Sequence, residues 1–166
     1  MVMAGLLQRE RVELVRGELV AMSPIGSAHS AVVSVLYERL VRAVSAELTV
    51  RSQQPLVCAD ESEPEPDLAI VARRSYRDAH PAAAALVIEV ADTSIDYDLG
   101  TKAALYAESA VGEYWVIDLV HRVVVVHRAP VDGAWTAITT CAADASIAPA
   151  TLTLPPMTLA ELLRGA

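Results

Sequence analysis

The sequence predicts one domain of the α/β (α+β) class, with a mixed β-sheet core flanked by helices. Segments with the two-residue periodicity of strands alternate with segments of helical spacing, in the order hairpin, helix, several strands, helix and strand. The chain has 166 residues, of which 54% are hydrophobic, which is enough for one buried core and excludes a disordered chain. Because no linker-like segment divides the chain, residues 1–166 are expected to form a single domain.

The N-terminal part is expected to supply a hairpin and a long helix. Residues 12–22 alternate apolar and polar side chains around Arg16 and Gly17, a pattern typical of a β-hairpin. Over 27–46 the spacing of apolar residues is helical. His29 falls on the apolar stripe of this helix, so its side chain is expected to point inward near the helix start.

The rest of the chain predicts the central strands and two more helices. Extended segments are expected at 48–53, 56–59 and 67–72, and a strand at 86–90 follows a polar loop. Further along, the pattern predicts a helix over 96–110 and a strand over 113–118. An added hairpin from 123–127 and 135–140 forms a C-terminal β-extension, and a helix over 158–163, capped by Gly165, ends the chain.

Charge and composition limit the classes of function. The net charge is −8 at pH 7, which argues against a protein that coats nucleic acid non-specifically, because that role needs a surplus of Lys and Arg. The two cysteines form no CxxC pair, and the chain has no glycine-rich phosphate loop, so no nucleotide cofactor is expected. No apolar run is long enough to span a membrane and no leader pattern is present, so a cytoplasmic protein is expected.

Two acidic residues occupy unusual positions in the predicted strands. Glu89 lies inside a strand that is apolar on both faces, where a carboxylate is costly to bury unless it is paired or bound to a metal. Asp67 opens the preceding strand segment, 22 positions earlier. This separation leaves room for a strand, a loop and a neighbouring strand, so the two acids can lie side by side on one face of the sheet.

Lys102 is the only lysine in the chain, because the other twelve basic residues are arginines. Its position at helical spacing from Leu99, Ala103 and Tyr106 places it on the inward stripe of the predicted helix. Lys and Arg are not interchangeable where a compact point charge is needed, which favours a specific role for this lysine. A structural ion pair between a strand glutamate and a helix lysine is the simpler alternative.

Two carboxylates and a lysine in one partly buried site suit metal-assisted phosphoryl chemistry. Carboxylate oxygens are ligands for Mg²⁺ or Mn²⁺, which polarise a phosphoryl oxygen and make an attacking water more acidic. The ammonium group would stabilise the negative charge that develops during the reaction, or would orient the attacking water and so assist its activation.

The string EPDLAIV followed by LVIEVADTSIDYDLGTKAALYAESAVGEYWVIDL resembles the Uma-two family of restriction-endonuclease domains, within the PD-(D/E)XK nuclease superfamily. The resemblance covers most of the chain and implies a restriction-endonuclease-like fold. Asp67 matches the Asp of the PD element and Glu89 the acid of the (D/E)XK element, which implies that both bind metal. The superfamily lysine is replaced by Ala91, and the resemblance implies that Lys102 takes its place from the following helix.

Other residues have supporting roles in this hypothesis. The Val90 carbonyl is a further candidate metal ligand. His29, Asp98 and Tyr106 match family positions, and Asp98 could hold the lysine head; a purely structural hydrogen-bonding role is the alternative for all three. Arginines in the loop after the Asp67 strand are candidates for contacts to phosphate: Arg73, Arg74 and Arg77.

The sequence thus predicts a Mg²⁺-dependent endonuclease that hydrolyses phosphodiester bonds, with DNA as its substrate and a homodimer as its assembly. A non-catalytic interaction module that keeps the nuclease fold is the first alternative. A metal-dependent hydrolase of small phosphoesters is the second, and it would share the metal site without requiring the arginine patch.

Overall fold

The described part of the chain, residues 11–166 of a computed structural model, opens with a β-hairpin. Strand β1 (Val12–Val15) pairs antiparallel with β2 (Glu18–Ala21). Arg16 and Gly17 have φ angles of 51° and 79°, and positive φ at both central positions is the signature of a tight hairpin turn that favours glycine. The predicted hairpin is therefore confirmed, whereas the part of the domain prediction that covers residues 1–10 lies outside the described residues.

The remaining strands form a six-stranded mixed sheet and one small two-stranded pair. In chain order they are β3 (Leu48–Ser52), β4 (Leu68–Ala72), β5 (Ala83–Ala84), β6 (Leu86–Ala91), β7 (Ala110–Val111), β8 (Tyr114–Asp118), β9 (Val123–Val131) and β10 (Ala134–Ala142). The large sheet has the order β10-β9-β8-β6-β4-β3, and β5 pairs with β7. Strands β6 and β8 are parallel, while all other neighbours in the large sheet are antiparallel.

In the part of the chain that the structure describes, three helices accompany the sheet. Helix α1 spans Ser27–Ala43, α2 runs through 95–108, and α3 spans Leu159–Gly165. Helix α2 connects the parallel strands β6 and β8, as such a crossover requires. No helix within residues 11–166 is long and apolar enough to cross a membrane.

Several helix boundaries differ from the prediction, and α2 ends at residue 108 rather than at 110 because Ala110 already belongs to β7. Helix α1 ends at Ala43 rather than at residue 46, because Val44 already has extended backbone angles and only its N–H group bonds back to Leu40. Helix α3 includes Gly165 instead of ending before it, so this glycine does not act as the predicted cap. At its other end α3 begins with a capping box between Thr158 and Glu161, which satisfies backbone N–H groups at the helix start.

The segment 56–59, which was expected to be extended, does not form a strand of the sheet. The N–H groups of Leu56 and Cys58 donate to the carbonyls of Pro64 and Ser62, so this segment closes on its own loop instead of joining a sheet. A short 3₁₀ turn, Ala59–Glu61, follows directly. Leu56 and Cys58 are buried, which explains why this segment has the apolar content of a strand.

Both faces of the sheet are covered by other elements, and the alternation of side chains along β6 shows which face Glu89 belongs to. One face packs against α1 and α3, and the opposite face packs against α2 and residues of the hairpin. Because side chains alternate along a strand, Glu89 shares the face of Val87 and Ala91, which belong to the core on the α2 side. The charged residue of β6 therefore faces α2.

Candidate active site

Asp67 and Glu89 meet at the end of the sheet where β4 begins. In the antiparallel pairing of β4 with β6, Leu68 lies opposite Ile88, so the register brings Asp67 beside Glu89. The Asp67 N–H donates to Oε2 of Glu89 at 3.2 Å, and the Val90 N–H donates to Oδ2 of Asp67 at 2.9 Å. The structure thus brings together the two acids that the sequence singled out.

Lys102 enters the same site from α2. Its Nζ lies 3.0 Å from Oε1 of Glu89 and 4.0 Å from Oδ1 of Asp98. Asp98 and Lys102 are the first and last residues of a π-helical turn in α2, and both side chains are buried. Such turns are rare and occur frequently at functional sites.

The ionisation of Lys102 is set by two opposing effects. Burial lowers the pKa of its amine, but the surrounding carboxylates, with Glu89 foremost, raise that pKa above its ordinary value. The carboxylates around Lys102 therefore favour its ammonium form, which supplies positive charge to the site.

Tyr106 supports Glu89 from the same helix as Lys102. Its hydroxyl donates to Oε1 of Glu89 at 3.1 Å, so this oxygen accepts from both the ammonium and the phenol. Asp98, the other supporting residue on α2, accepts from the Ser94 hydroxyl. Burial raises the pKa of Asp98 to about 6, against the opposing effect of Lys102.

His29 contacts Asp67 from the first turn of α1. Its Nε2 lies 2.9 Å from Oδ2 of Asp67, which confirms that the side chain points inward. The hydrogen bond to Asp67 raises the pKa of His29, while burial acts in the opposite direction. The second ring nitrogen, Nδ1, is buried and has no hydrogen-bond partner within residues 11–166.

The site contains two residues that sequence reasoning missed. Glu13 on β1 is buried, and its Oε2 lies 3.2 Å from Nζ of Lys102. Gln53 donates to Oδ1 of Asp67 at 3.4 Å. A signal for Glu13 was present: in VELV, as in LVIEVA around Glu89, an acid interrupts an apolar strand.

Among the described residues of the site, carboxyl groups outnumber basic side chains. Four buried carboxyl groups surround the single ammonium of Lys102, and they belong to Glu13, Asp67, Glu89 and Asp98. Burial raises the pKa of Glu89, because low-dielectric surroundings disfavour its charged form. Excess negative charge in a buried site is unfavourable without a compensating cation.

The two acids line a cleft that is open to solvent. The cleft has a volume of about 380 Å³, and its walls include Met22 of the hairpin segment, Asp67, Glu89 and Lys102. Arg11 also lines it, and this side chain is paired with Glu65 at 2.6 Å. A small hydrated cation and part of a larger substrate can therefore reach the carboxylates.

The donor set fits one hydrated Mg²⁺ ion rather than a dedicated metal cage. Mg²⁺ is commonly held by one or two carboxylates and keeps several waters. Within residues 11–166 no group of three or more His, Cys, Asp or Glu side chains is arranged to hold a metal. Asp67 and Glu89 provide the two carboxylates that such a hydrated ion needs, and Val90 lines the same cleft.

The three loop arginines lie away from the acids. They follow β4 at its C-terminal end, whereas Asp67 precedes its N-terminal end, and a five-residue strand spans roughly 16 Å. Arg73 donates to the carbonyl of Ala46, and Arg74 stacks on the ring of Tyr76. None of Arg73, Arg74 and Arg77 is among the described residues that line the cleft, and their contact with phosphate stays a prediction.

Comparisons with known proteins agree on a nuclease-like fold. The family model Uma2, described as "Putative restriction endonuclease", matches residues 3–160. A crystal structure described as a "putative nuclease belonging to DUF820" from Anabaena variabilis superposes with a TM-score of 0.79, over 99% of this chain and 98% of that one. The two sequences are 15% identical, so this likeness concerns the fold. No curated protein matches the chain.

Proposed function

The chain belongs to the Uma2 family, and on that premise we propose that it is a Mg²⁺-dependent endonuclease that hydrolyses phosphodiester bonds in DNA. The observation that carries the proposal is the contact of Lys102 with Glu89 at 3.0 Å, beside Asp67, in an open cleft. This arrangement combines two carboxylates that could hold a metal ion with a positively charged group, and both kinds of group assist phosphodiester hydrolysis.

Asp67 and Glu89 would hold the Mg²⁺ or Mn²⁺ ion, with the carbonyl of Val90 as a further oxygen ligand. When bound, the ion supplies positive charge to a phosphoryl oxygen and makes an attacking water more acidic. The backbone N–H groups of Asp67 and Val90, which donate to the carboxylates of Glu89 and Asp67, keep the two carboxylates in place before the ion arrives. His29 and Gln53 restrict the rotation of the Asp67 carboxylate.

Lys102 would stabilise the negative charge that develops on the phosphoryl group. A fixed ammonium is effective here because the site is partly shielded from water, where electrostatic interactions are stronger. Tyr106 and Asp98 would act as supporting residues, the first on Glu89 and the second beside the ammonium.

The acidic character of the protein restricts how DNA is contacted. With a net charge of −8, contact is expected to be local, at the metal and at a few cationic side chains. The strand that separates the loop arginines from the acids spans roughly 16 Å, which corresponds to roughly five nucleotide steps of one DNA strand. Arg73, Arg74 and Arg77 would then bind phosphates that flank the cleavage position.

The assembly that we propose is a homodimer formed through β10. Within residues 11–166 this nine-residue strand pairs on one side only, with β9, and it carries no charged side chain. In a chain of net charge −8, an uncharged strand edge is where two copies meet with the least repulsion. A dimer would give the enzyme two sites for the two strands of DNA.

Two alternative functions are possible for this fold. The residues of the cleft argue against the first, and the choice of substrate distinguishes the second. A non-catalytic module would not need to keep Asp67, Glu89 and Lys102 buried together at a cleft, since buried charges are unfavourable for stability. A hydrolase of small phosphoesters would use the same residues on a short substrate, and only a choice of substrates distinguishes it.

The decisive experiment is a cleavage assay with matched variants. Purified protein is incubated with supercoiled DNA, linear DNA and a small phosphodiester in the presence of Mg²⁺ or Mn²⁺. We expect cleavage of DNA that requires the ion and is lost in Asp67→Asn, Glu89→Gln and Lys102→Ala. Glu113→Gln is the control, because Glu113 is also a buried carboxylate but bonds Trp115 and Arg128 instead.

The outcomes separate the three functions. If the wild type cleaves nothing, or if the three variants cleave as well as the wild type, the nuclease proposal is wrong. Cleavage of the small phosphodiester alone would identify a small-phosphoester hydrolase.

A further inference from the structure

We propose that Glu13 is a positioning residue that holds the Lys102 ammonium in the site together with Glu89. As a statement about catalysis this rests on the proposed nuclease function. As a statement about Lys102 it rests on contacts alone, because Nζ lies 3.0 Å from Glu89 and 3.2 Å from Glu13.

Glu13 is itself firmly placed. Its side chain is buried, and Oε2 accepts a hydrogen bond from the Glu65 N–H at 3.1 Å in addition to its contact with Lys102. The strand that carries it is docked on the loop at 60–65, where the Leu14 carbonyl accepts from the Glu63 N–H and the Arg16 N–H donates to the Ser62 hydroxyl. Lys102 is thus clamped between the hairpin and the central sheet.

A second anchor is needed because of what Glu89 is expected to do. If Glu89 binds a divalent cation, that cation repels the ammonium and competes with it for the same carboxylate. Lys102 has a long flexible side chain, so one weakened contact would let its charge swing away from the substrate. Glu13 is not one of the proposed metal ligands, and it can hold Lys102 while Glu89 binds the ion.

The other neighbours of the ammonium are less able to do this. Asp98 lies 4.0 Å from Nζ and is already engaged by the Ser94 hydroxyl. The Tyr97 ring centroid lies 5.6 Å from Nζ, at the outer limit of a cation–π contact. Of the described residues, only Glu13 and Glu89 have carboxylate oxygens within hydrogen-bonding distance of Lys102.

A purely structural role for Glu13 is the alternative, in which it satisfies the Glu65 amide and stabilises the docked hairpin. The two roles differ in what they do to the lysine. Loss of a structural residue lowers the stability of the fold, whereas loss of a positioning residue also frees the ammonium and slows the chemical step without weakening substrate binding.

The single lysine makes a direct test possible. Protein labelled with ¹⁵N-lysine has one side-chain ammonium signal, and hydrogen exchange at that group reports how firmly Lys102 is held. We expect exchange to be at least tenfold faster in Glu13→Gln and Glu13→Ala than in the wild type. In the DNA cleavage assay we expect kcat to fall at least tenfold in both variants, with little change in KM. The kcat of Glu13→Asp should lie between that of these variants and that of the wild type, because the aspartate keeps a carboxylate at this position.

Ser62→Ala is the matched control, because it weakens the docking of the same hairpin without touching Lys102. We expect its lysine exchange and kcat to stay close to those of the wild type.

If exchange at Lys102 is unchanged in folded Glu13→Gln, or if Ser62→Ala has the same effects, Glu13 does not position the lysine. If Glu13→Ala does not fold, Glu13→Gln decides the question. A wild type that cleaves nothing would refute the nuclease function, and the exchange rates would still decide whether Glu13 holds Lys102.

Discussion

Asp67 and Glu89 hold each other through reciprocal backbone hydrogen bonds. The Asp67 N–H donates to the Glu89 carboxylate, and the N–H of Val90, the residue after Glu89, donates to the Asp67 carboxylate. The pairing of β4 with β6 therefore fixes the side chains as well as the strands. Carboxylates that are oriented by backbone groups do not need to reorganise when a cation or a substrate arrives, and this preorganisation is a main source of catalytic power.

The first prediction is that divalent cations stabilise the folded protein. A ligand that binds only the native state at ten times its Kd adds about 1.4 kcal/mol, which corresponds to a rise of roughly 3–6 °C in Tm for a chain of this size. Thermal unfolding in MgCl₂ should show this rise, compared with NaCl at the same ionic strength. Asp67→Asn should show none of it, and an equal rise in that variant would place the ion elsewhere.

The second prediction concerns Lys102→Arg, a change that keeps the charge. The guanidinium is larger and planar, and the space between Glu13 and Glu89 is filled by a compact ammonium. Overpacking of a buried site costs about 1–3 kcal/mol, which urea unfolding would measure. We also expect DNA cleavage to fall by about two orders of magnitude, which corresponds to about 2.7 kcal/mol of transition-state stabilisation.

A surface exchange provides the comparison for Lys102→Arg. Arg39 forms an exposed pair with Glu161 at 3.4 Å, so Arg39→Lys should leave both stability and cleavage close to the wild type. If Lys102→Arg cleaves DNA at the rate of the wild type, any buried cation is sufficient at this position. The requirement for a lysine would then be wrong.

Much of the site could be predicted because each residue disturbs a local pattern. Glu89 interrupts an apolar strand, and Lys102 is a lone lysine on an inward helical stripe. The register of β4 against β6 then brings Glu89 beside Asp67. These are short-range signals, and periodicity is sufficient to detect them.

The parts that could not be predicted depend on contacts distant in sequence. Glu13 joins the site only because the hairpin docks on the loop at 60–65. The segment around Leu56 and Cys58 has the apolar content of a strand, but bonds to Ser62 and Pro64 close it into a loop. The π-helical turn that contains Asp98 and Lys102 also leaves no mark in the apolar spacing.

The third prediction is that His127 makes stability depend on pH. This side chain is buried on β9, and burial lowers its pKa below the ordinary value of about 6.5. Because its pKa is lower in the folded protein, His127 takes up a proton more readily in the unfolded chain. Its contribution to the free energy of unfolding is therefore complete above about pH 6.5 and is lost as the pH falls below that value.

Denaturant unfolding of the wild type and His127→Gln at several values between pH 8 and pH 5 measures this contribution. The stability of the wild type should fall more steeply with decreasing pH than that of the variant. The exposed His80 supplies the comparison, and His80→Gln should keep the wild-type slope. Equal slopes in the wild type and His127→Gln would contradict the prediction.

The last prediction tests the proposed dimer through the edge of β10. Ile138 lies in the middle of this strand and is 60% exposed, and a lysine on an edge strand is a common obstacle to pairing between chains. The wild type should have twice the 17.7 kDa mass of one chain in light scattering after gel filtration, and Ile138→Lys should have the mass of one chain. Val120→Lys is the matched control, because Val120 is also 60% exposed but lies outside β10, so the same change of charge should leave the dimer intact. A monomeric wild type, or a dimer that survives Ile138→Lys, would rule out pairing through this edge.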